Sequence, residues 1–459
     1  MKTILKPEDW VLKLYPEQKN YSCKLSKFVL IEEYDDEILV FHTITWAIYV
    51  LTKEEYKNIL NNEYLKTFFV VIDEDFDDMD IAEKAYKERI VKKKLPTYDY
   101  ISTYVILTTT ACNARCHYCY EKNAVKIETM TLDTAENVVQ FIKTHKYHNS
   151  PVNIQWFGGE PLLNTKVIDY ISNRLKEMDI PFKSSIITNA HLFNYDTVIK
   201  ASKDWNITSC QITIDGLFET YNKIKNFVYS DIDAFLVLIE NMKTILDNSD
   251  IHVTVRFNIG NENIFQMYDT ISYLKEEFKS YLDSKKISFY AYKLFDIIEG
   301  KEDAIPGFED EVERLKEIIN INNGDKCDTF TGSNTFKREP IYEMCMAYNG
   351  NGIAILPNGQ FSPCEHIRTE DLIGNIKDDV IDNNIIEKWQ TLDGKEIDYC
   401  RKENCPLHPL CPRFYTCPNA VICSETNIKK EERLKEAHKR LYNTYTYYKN
   451  EIQKRKVGN

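Results

Sequence analysis

No stretch of this 459-residue chain is apolar for long enough to cross a bilayer. The longest runs, such as Trp46 to Leu51 and Phe68 to Ile72, fall well short of the ~18 residues a spanning segment needs. An export signal is also missing. Glu8 and Asp9 lie within the first ten residues and no apolar core region accompanies them, so a reducing cytoplasm is the expected compartment. Positive charge is in deficit: 58 Lys and Arg stand against 71 Asp and Glu, a formal net charge of −13. That balance argues against duplex nucleic acid and against an anionic membrane surface as partners. Internal repeats and low-complexity tracts are absent. With 43% hydrophobic and 28% charged residues, a disordered or collagen-like chain is excluded, and the length suggests about three domains.

Cysteine is abundant. There are 13, an odd number, and in a reducing compartment they point to metal or redox chemistry rather than disulfides. They are also clustered. Three fall between Cys112 and Cys119 and seven between Cys345 and Cys423, leaving Cys23, Cys210 and Cys327 outside. Cys210 sits in an apolar strand and is expected to pack as a small hydrophobe.

The first 95 residues read as a separate module. Ser26–Tyr34, Glu37–Thr43 and Trp46–Leu51 have strand character, and Thr52–Leu60 and Asp80–Lys93 helical character. Three strands with two or three helices suit a winged-helix-like fold, but the acidic run Asp73 to Asp80 argues against a nucleic-acid role. From Ser102 to Leu294 strands and helices alternate. The strands are Tyr104–Thr108, Val152–Phe157, Lys183–Thr188, Ser209–Ile214, His252–Asn258 and Ile287–Tyr292; the helices are Leu132–His145, Thr165–Met178, Tyr195–Ser202, Ala234–Asn248 and Ile264–Phe278. Thr131, Asn164 and Asn194 stand at N-cap positions. Repeated βα units predict a parallel sheet, here of six strands, with chemistry at its C-terminal edge. Beyond Cys327 aliphatic residues thin out and Cys, Pro, Asn and Gly rise, a composition that bound metal can stabilise. Pro357-Asn358-Gly359 reads as the turn of a β-hairpin, and Lys429 to Lys454 as a charged helix.

The strongest signal is Cys112-Asn-Ala-Arg-Cys116-His-Tyr-Cys119, spaced C-x3-C-x2-C just after the first strand of the βα series. Three thiolates in one loop can ligate three irons of a cubane cluster and leave the fourth iron open. Structural zinc closes with four ligands, and only His117 lies nearby. The loop resembles the signature of the radical S-adenosylmethionine superfamily. That resemblance implies an open iron that chelates S-adenosylmethionine and an electron that cleaves it to a 5′-deoxyadenosyl radical. It puts Tyr118 at the adenine-contacting position. Gly158-Gly159-Glu160-Pro161 resembles the motif that meets the cofactor's amino group: glycines permit close backbone approach, and an acid can pair with an ammonium. Thr188 and Asn189, Asp215, Arg256 and Asn258 stand where the family contacts the ribose or the carboxylate. Tyr221-Asn222-Lys223-Ile224-Lys225 departs from the His-Asp-x-x-Arg pattern common among relatives.

The second set of cysteines resembles a SPASM domain. Carrying that pattern over, one auxiliary [4Fe-4S] cluster takes Cys345, Cys364 and Cys417, completed by Cys327 or left open for a substrate thiol. The other takes Cys400, Cys405, Cys411 and Cys423. Glu365, directly after Cys364, matches the acid of sulfatase-maturing relatives and is a candidate general base. The implied fold is α/β: a partial (β/α)6 TIM-like barrel at residues 96–310, an N-terminal winged-helix-like peptide-recognition domain at 1–95, a cysteine-rich SPASM domain at 311–426 and a C-terminal helix at 427–459. The implied function is maturation of a ribosomally made precursor peptide. Its leader adds as a strand to the N-terminal module, and a crosslink is installed, a thioether or else a carbon–carbon cyclophane. The alternative is a sulfatase-maturing, formylglycine-forming enzyme. Either needs S-adenosylmethionine, three [4Fe-4S] clusters and a reductant such as flavodoxin or ferredoxin.

Overall fold

The structure is a computed structural model. It describes the chain except residues 20–21, 93–99, 120, 122–125, 148–149, 230–232, 295–301, 324–345, 368–371, 379, 386–397, 400, 409–433, 435–436, 439–440 and 447–459. The chain divides into two compact units, one of residues 1–95 with 328–344 and 390–459, the other of 96–327 with 345–389.

In the first unit, strands β1 (Lys2–Leu5), β3 (Val29–Tyr34), β4 (Glu37–His42) and β5 (Ala47–Thr52) form an antiparallel sheet in the order β1-β5-β4-β3. β2 (Cys23–Leu25) pairs with β6 (Val71–Asp73). The helices are α1 (Asp9–Leu12), α2 (Lys53–Lys57), α3 (Glu63–Thr67) and α4 (Met79–Lys92). Three of these strands were legible; β1 was not, being four residues long with one buried side chain. The β3–β4 turn is made by Asp35 and Asp36, with Asp35 left-handed at φ 52°. Thr52 caps α2 in a reciprocal capping box with Glu55.

Strand alternation gives this sheet two apolar faces. Ile38, Val40, Tyr49 and Leu51 pack with Leu65 and Val71 on one. On the other, Leu39, Phe41, Trp46 and Val50 pack with Ala437, Leu441 and Tyr445 near the end of the chain. The Tyr442 and Tyr34 hydroxyls are 3.0 Å apart, and the Tyr34 ring packs against Tyr442 and Tyr445 with centroids 4.7 and 5.9 Å away. Tyr447 and Tyr448 lie outside the described residues.

The second unit holds β7 (Thr103–Thr109), β8 (Val152–Gly158), β9 (Phe182–Thr188), β10 (Ile207–Ile214), β11 (His252–Ile259) and β12 (Ile287–Lys293), each parallel to the next. These are the six expected strands. β13 (Gly352–Ile355) adds parallel beside β7, followed antiparallel by β14 (Gln360–Ser362), β15 (Gly374–Asn375) and β16 (Val380–Ile381). The hairpin read around Gly359 therefore extends the main sheet, and Gly359 is left-handed at φ 85°.

Helices α5 (Leu132–His145), α6 (Thr165–Glu177), α7 (Tyr195–Lys203), α8 (Phe218–Lys225), α9 (Ala234–Asn248), α10 (Met267–Glu277), α11 (Lys279–Asp283), α12 (Phe308–Asn323) and α13 (Met346–Asn349) complete the unit. Ile106, Trp156, Ile186, Ile212, Val255 and Phe289 carry one sheet face into a core that also holds Val139, Ile171, Leu238, Ile271 and Leu315. The neighbouring positions Gln211, Thr213, Arg256, Tyr290 and Tyr292 point the other way and are half-buried. Thr131 and Asn194 cap α5 and α7 as expected. Asn164 does not cap α6; its amide instead reaches the Thr108 and Met130 carbonyls at 2.9 and 3.0 Å. α8 was missed because its N-cap is Leu217, with no side-chain cap to announce it. No helix among the described residues is long and apolar enough to cross a membrane.

Candidate active site

The loop after β7 is fastened before it reaches its first cysteine. Thr110 donates to a returning segment, through its N–H to Glu128 O at 2.9 Å and its hydroxyl to Lys126 O at 2.8 Å, and its hydroxyl accepts from the Glu128 N–H at 2.8 Å. Cys112, Cys116 and Cys119 then follow, all half-buried. The Ala114 N–H points at Cys112 Sγ at 3.3 Å. Burial pushes the Cys112 thiol up to about 12 and raises Cys116 as well, so both are thiols at neutral pH until a metal displaces their protons. Among the described residues no three Cys, His, Asp or Glu side chains close on a single ion. Three soft sulfur donors in one loop suit an iron–sulfur cluster.

Two glycines end β8 directly beneath this loop. A Cβ on Gly158, at φ 115°, would lie 2.1 Å from Thr109 O, and one on Gly159 would lie 2.5 Å from Ala111 O. The motif is therefore glycine because the backbone of β8 touches the backbone of the cysteine loop. Glu160 is fully buried. It accepts from the Thr188 hydroxyl, the Asn189 N–H at 2.9 Å and the Leu162 N–H at 3.0 Å. Burial pushes it up to about 7 against the pull of those donors. Pro161 opens the 3₁₀ turn Pro161–Asn164 and accepts from Thr108 through its carbonyl. Asn189 donates to Asn113 Oδ1 at 2.7 Å, inside the loop, and its amide lies 4.0 Å from Cys112 Sγ.

The ends of β10 and β11 meet the loop through Tyr118. Its hydroxyl donates to Asp215, with both carboxylate oxygens at 2.9 Å, and accepts from Asn258 at 3.0 Å and Lys225 at 3.2 Å. Asn263 ties the same two strand ends together, donating to the carbonyls of Asp215 and Asn258 at 2.8 and 2.9 Å. Burial pulls the Lys225 ammonium down, but Asp215, Tyr118 and Cys116 outweigh it and hold its pKa well above the usual value. Arg256 sits two positions before Asn258 on β11, on the same face but deeper, stacked 4.1 Å from the Tyr292 ring centroid.

The structure thus brings Cys112, Cys116, Cys119, Tyr118, Gly158, Gly159, Glu160, Thr188, Asn189, Asp215 and Asn258 to one end of the sheet. Sequence reasoning missed Asn113, Thr213, Lys225 and Asn263 as members. Lys225 had a signal, since it closes the segment that departs from the family pattern. Cys364 and Glu365 follow β14, with Cys364 Sγ 3.8 Å from Glu365 Oε2 and the His366 N–H 3.4 Å from the sulfur. Cys405 belongs to the other unit. Cys327, Cys345, Cys400, Cys411, Cys417 and Cys423 lie outside the described residues. Cys210 is fully buried in the core, as expected of a packing residue.

Residues 106–274 match the radical SAM superfamily. The segment runs from β7 to α10 and contains the cysteine loop and four of the strand ends around it. That segment is thus similar to the radical SAM domain of iron–sulfur enzymes. Among curated proteins it is similar to the radical SAM cyclopropyl synthase TigE of Paramaledivibacter caminithermalis, 26% identical over 253 residues that cover 44% of this chain and 53% of that one. It is also similar to the GTP 3',8-cyclase of Limosilactobacillus fermentum, 30% identical over 192 residues, 40% of this chain and 54% of that one. The chain therefore spans about half the length of these two relatives. Among solved structures, anSMEcpe with bound AdoMet matches with a TM-score of 0.55 at 15% identity, covering 77% of this chain and 99% of that one. Streptococcus suis SuiB bound to the precursor peptide SuiA matches with a TM-score of 0.50 at 15% identity, covering 88% and 100%. These two likenesses establish the fold.

Proposed function

We propose that this protein matures a ribosomally made precursor peptide. Cys112, Cys116 and Cys119 hold the [4Fe-4S] cluster. The strand ends at Gly158 to Pro161, Thr188, Asn189, Asp215 and Asn258, with Tyr118 from the loop and Arg256 below, hold S-adenosylmethionine. Bound there, the cluster and cofactor would supply radical chemistry for hydrogen abstraction from the substrate. The chain's own residues set the geometry: the glycine contacts fix the loop against β8, and the Tyr118 network fixes it against β10 and β11.

The observation that carries the peptide reading is the N-terminal sheet. Among the described residues β3 pairs with β4 alone, so its other edge can take an added strand. Strand addition supplies affinity through main-chain bonds with little demand on leader sequence. A winged-helix-like module at residues 1–95 for the leader, a partial barrel at 96–310 for the chemistry and a SPASM domain at 311–426 complete the reading. In that domain Cys345, Cys364, Cys417 and either Cys327 or a substrate thiol hold one auxiliary cluster, and Cys400, Cys405, Cys411 and Cys423 the other. Glu365, beside the Cys364 sulfur, serves as base. The product is a crosslink, a thioether before a cyclophane, and a cytoplasmic flavodoxin or ferredoxin is the reductant.

The test is mass spectrometry of the precursor encoded beside this gene after anaerobic reaction with reduced enzyme and S-adenosylmethionine. A crosslinked product is lighter by two hydrogens per bond and keeps all its sulfur. A product in which a Cys thiol has become an aldehyde would mean formylglycine formation instead. An unaltered peptide would remove the maturase reading.

A further inference from the structure

We propose that Lys225 is the positioning residue of the cysteine loop, locking Tyr118 in place and keeping a positive charge beside the cluster. The main chain at α8's end already touches the loop. Asn226 is left-handed at φ 45° and turns the chain back, so that Lys225 O accepts from the Arg115 N–H at 2.8 Å and the Val228 N–H reaches Asn113 O at 2.9 Å. These two bonds belong to the backbone and survive any side-chain change.

The side chain does something separate. It is 3% exposed and faces a fully buried Asp215 at 2.9 Å. An ammonium has three hydrogens, and here three acceptors surround it: Asp215 Oδ2, Thr213 Oγ1 at 2.7 Å and the Tyr118 hydroxyl at 3.2 Å. No hydrogen is left for a bound molecule, so Lys225 acts through Tyr118 and Asp215 rather than as a ligand. Its location explains why a cation belongs there. Three cysteines and the carboxylates of Asp215 and Glu160 gather around one loop, and a cluster that must accept an electron is helped by positive charge held close in a dry site.

Opposite shifts distinguish this role from mere scaffolding. Wild type, Lys225→Met, Lys225→Arg and Asp215→Asn are reconstituted anaerobically and titrated by electron paramagnetic resonance, following the reduced cluster whose signal changes on adding S-adenosylmethionine. Lys225→Met, which leaves Asp215 uncompensated, should move the midpoint potential negative and weaken S-adenosylmethionine binding by roughly tenfold. Asp215→Asn, which leaves the ammonium uncompensated, should move it positive. Lys225→Arg should stay near wild type in potential. Potentials that move the same way in Lys225→Met and Asp215→Asn, or that do not move, would overturn the proposal. So would Lys225→Arg behaving like Lys225→Met. If Lys225→Met takes up no iron, a positive shift in Asp215→Asn beside an unshifted Lys225→Arg still supports the proposal, and an unshifted Asp215→Asn or a displaced Lys225→Arg overturns it.

Discussion

Glu160 takes the hydroxyl hydrogen of Thr188 with its two carboxylate oxygens at 2.8 and 2.9 Å, joining the end of β8 to the end of β9. A motif residue thereby ties two strands together at the end of the sheet where the cysteine loop lies. Three protein donors, from Thr188, Asn189 and Leu162, fix the orientation of this carboxylate, and its two oxygens have about four acceptor sites between them.

Glu160 should leave a mark on the pH dependence of stability. Its carboxyl titrates near 7 in the folded chain because burial opposes the charge, against an ordinary value of about 4.3. Between those values the folded state binds the proton and the unfolded state does not, so stability falls as pH rises through that window, by at most about 4 kcal/mol. Glu160→Gln removes this contribution. Urea unfolding at pH 5 and pH 7 should show a smaller decline in the variant than in the parent; equal declines would contradict the assignment.

Gly158→Ala should damage the site without touching a cysteine. The new Cβ meets Thr109 O at 2.1 Å, in a backbone conformation that side chains avoid. Strain and the clash together cost about 3 kcal/mol or more. We expect a lower melting temperature and a loss of iron from the loop, read by iron analysis and by differential scanning calorimetry.

Cys116→Ala should abolish 5′-deoxyadenosine release from reduced enzyme and S-adenosylmethionine. Iron of the two proposed auxiliary clusters should remain. Liquid chromatography gives the first reading and iron analysis the second, and iron falling to near zero would mean that only one cluster exists.

Leu441→Ala tests the contact between the two ends of the chain. Leu441 is fully buried against the sheet that carries Phe41 and Trp46, and truncating such a leucine costs about 2–5 kcal/mol. Urea unfolding followed by tryptophan fluorescence should show an early transition in the variant. An unchanged curve would place the cooperative unit elsewhere.

The parallel sheet was legible because its strands are apolar on alternate positions and its loops carry turn signals, and the cysteine loop because three soft ligands at that spacing have few other uses. What could not be read shares one physical cause: it depends on contacts between distant positions. Nothing local says that Lys225 turns its ammonium toward Tyr118, 107 positions away. Gly159 is required by the carbonyl of Ala111 and Glu160 is oriented by Thr188, neither of which a linear string displays. α8 escaped because it begins at Phe218, left-handed at φ 36°, behind a leucine that cannot cap it. The partnership of Tyr34 with Tyr442 spans 408 positions, far beyond any periodicity.

That last partnership has a consequence during synthesis. The sheet formed by the first 52 residues leaves one greasy side waiting for a segment near position 441. At 5–20 residues per second, translation keeps it waiting for on the order of tens of seconds. A nascent chain with that side bare is a natural client for a holding chaperone, and a ribosome stalled late in the message would release a product with adhesive strands already made.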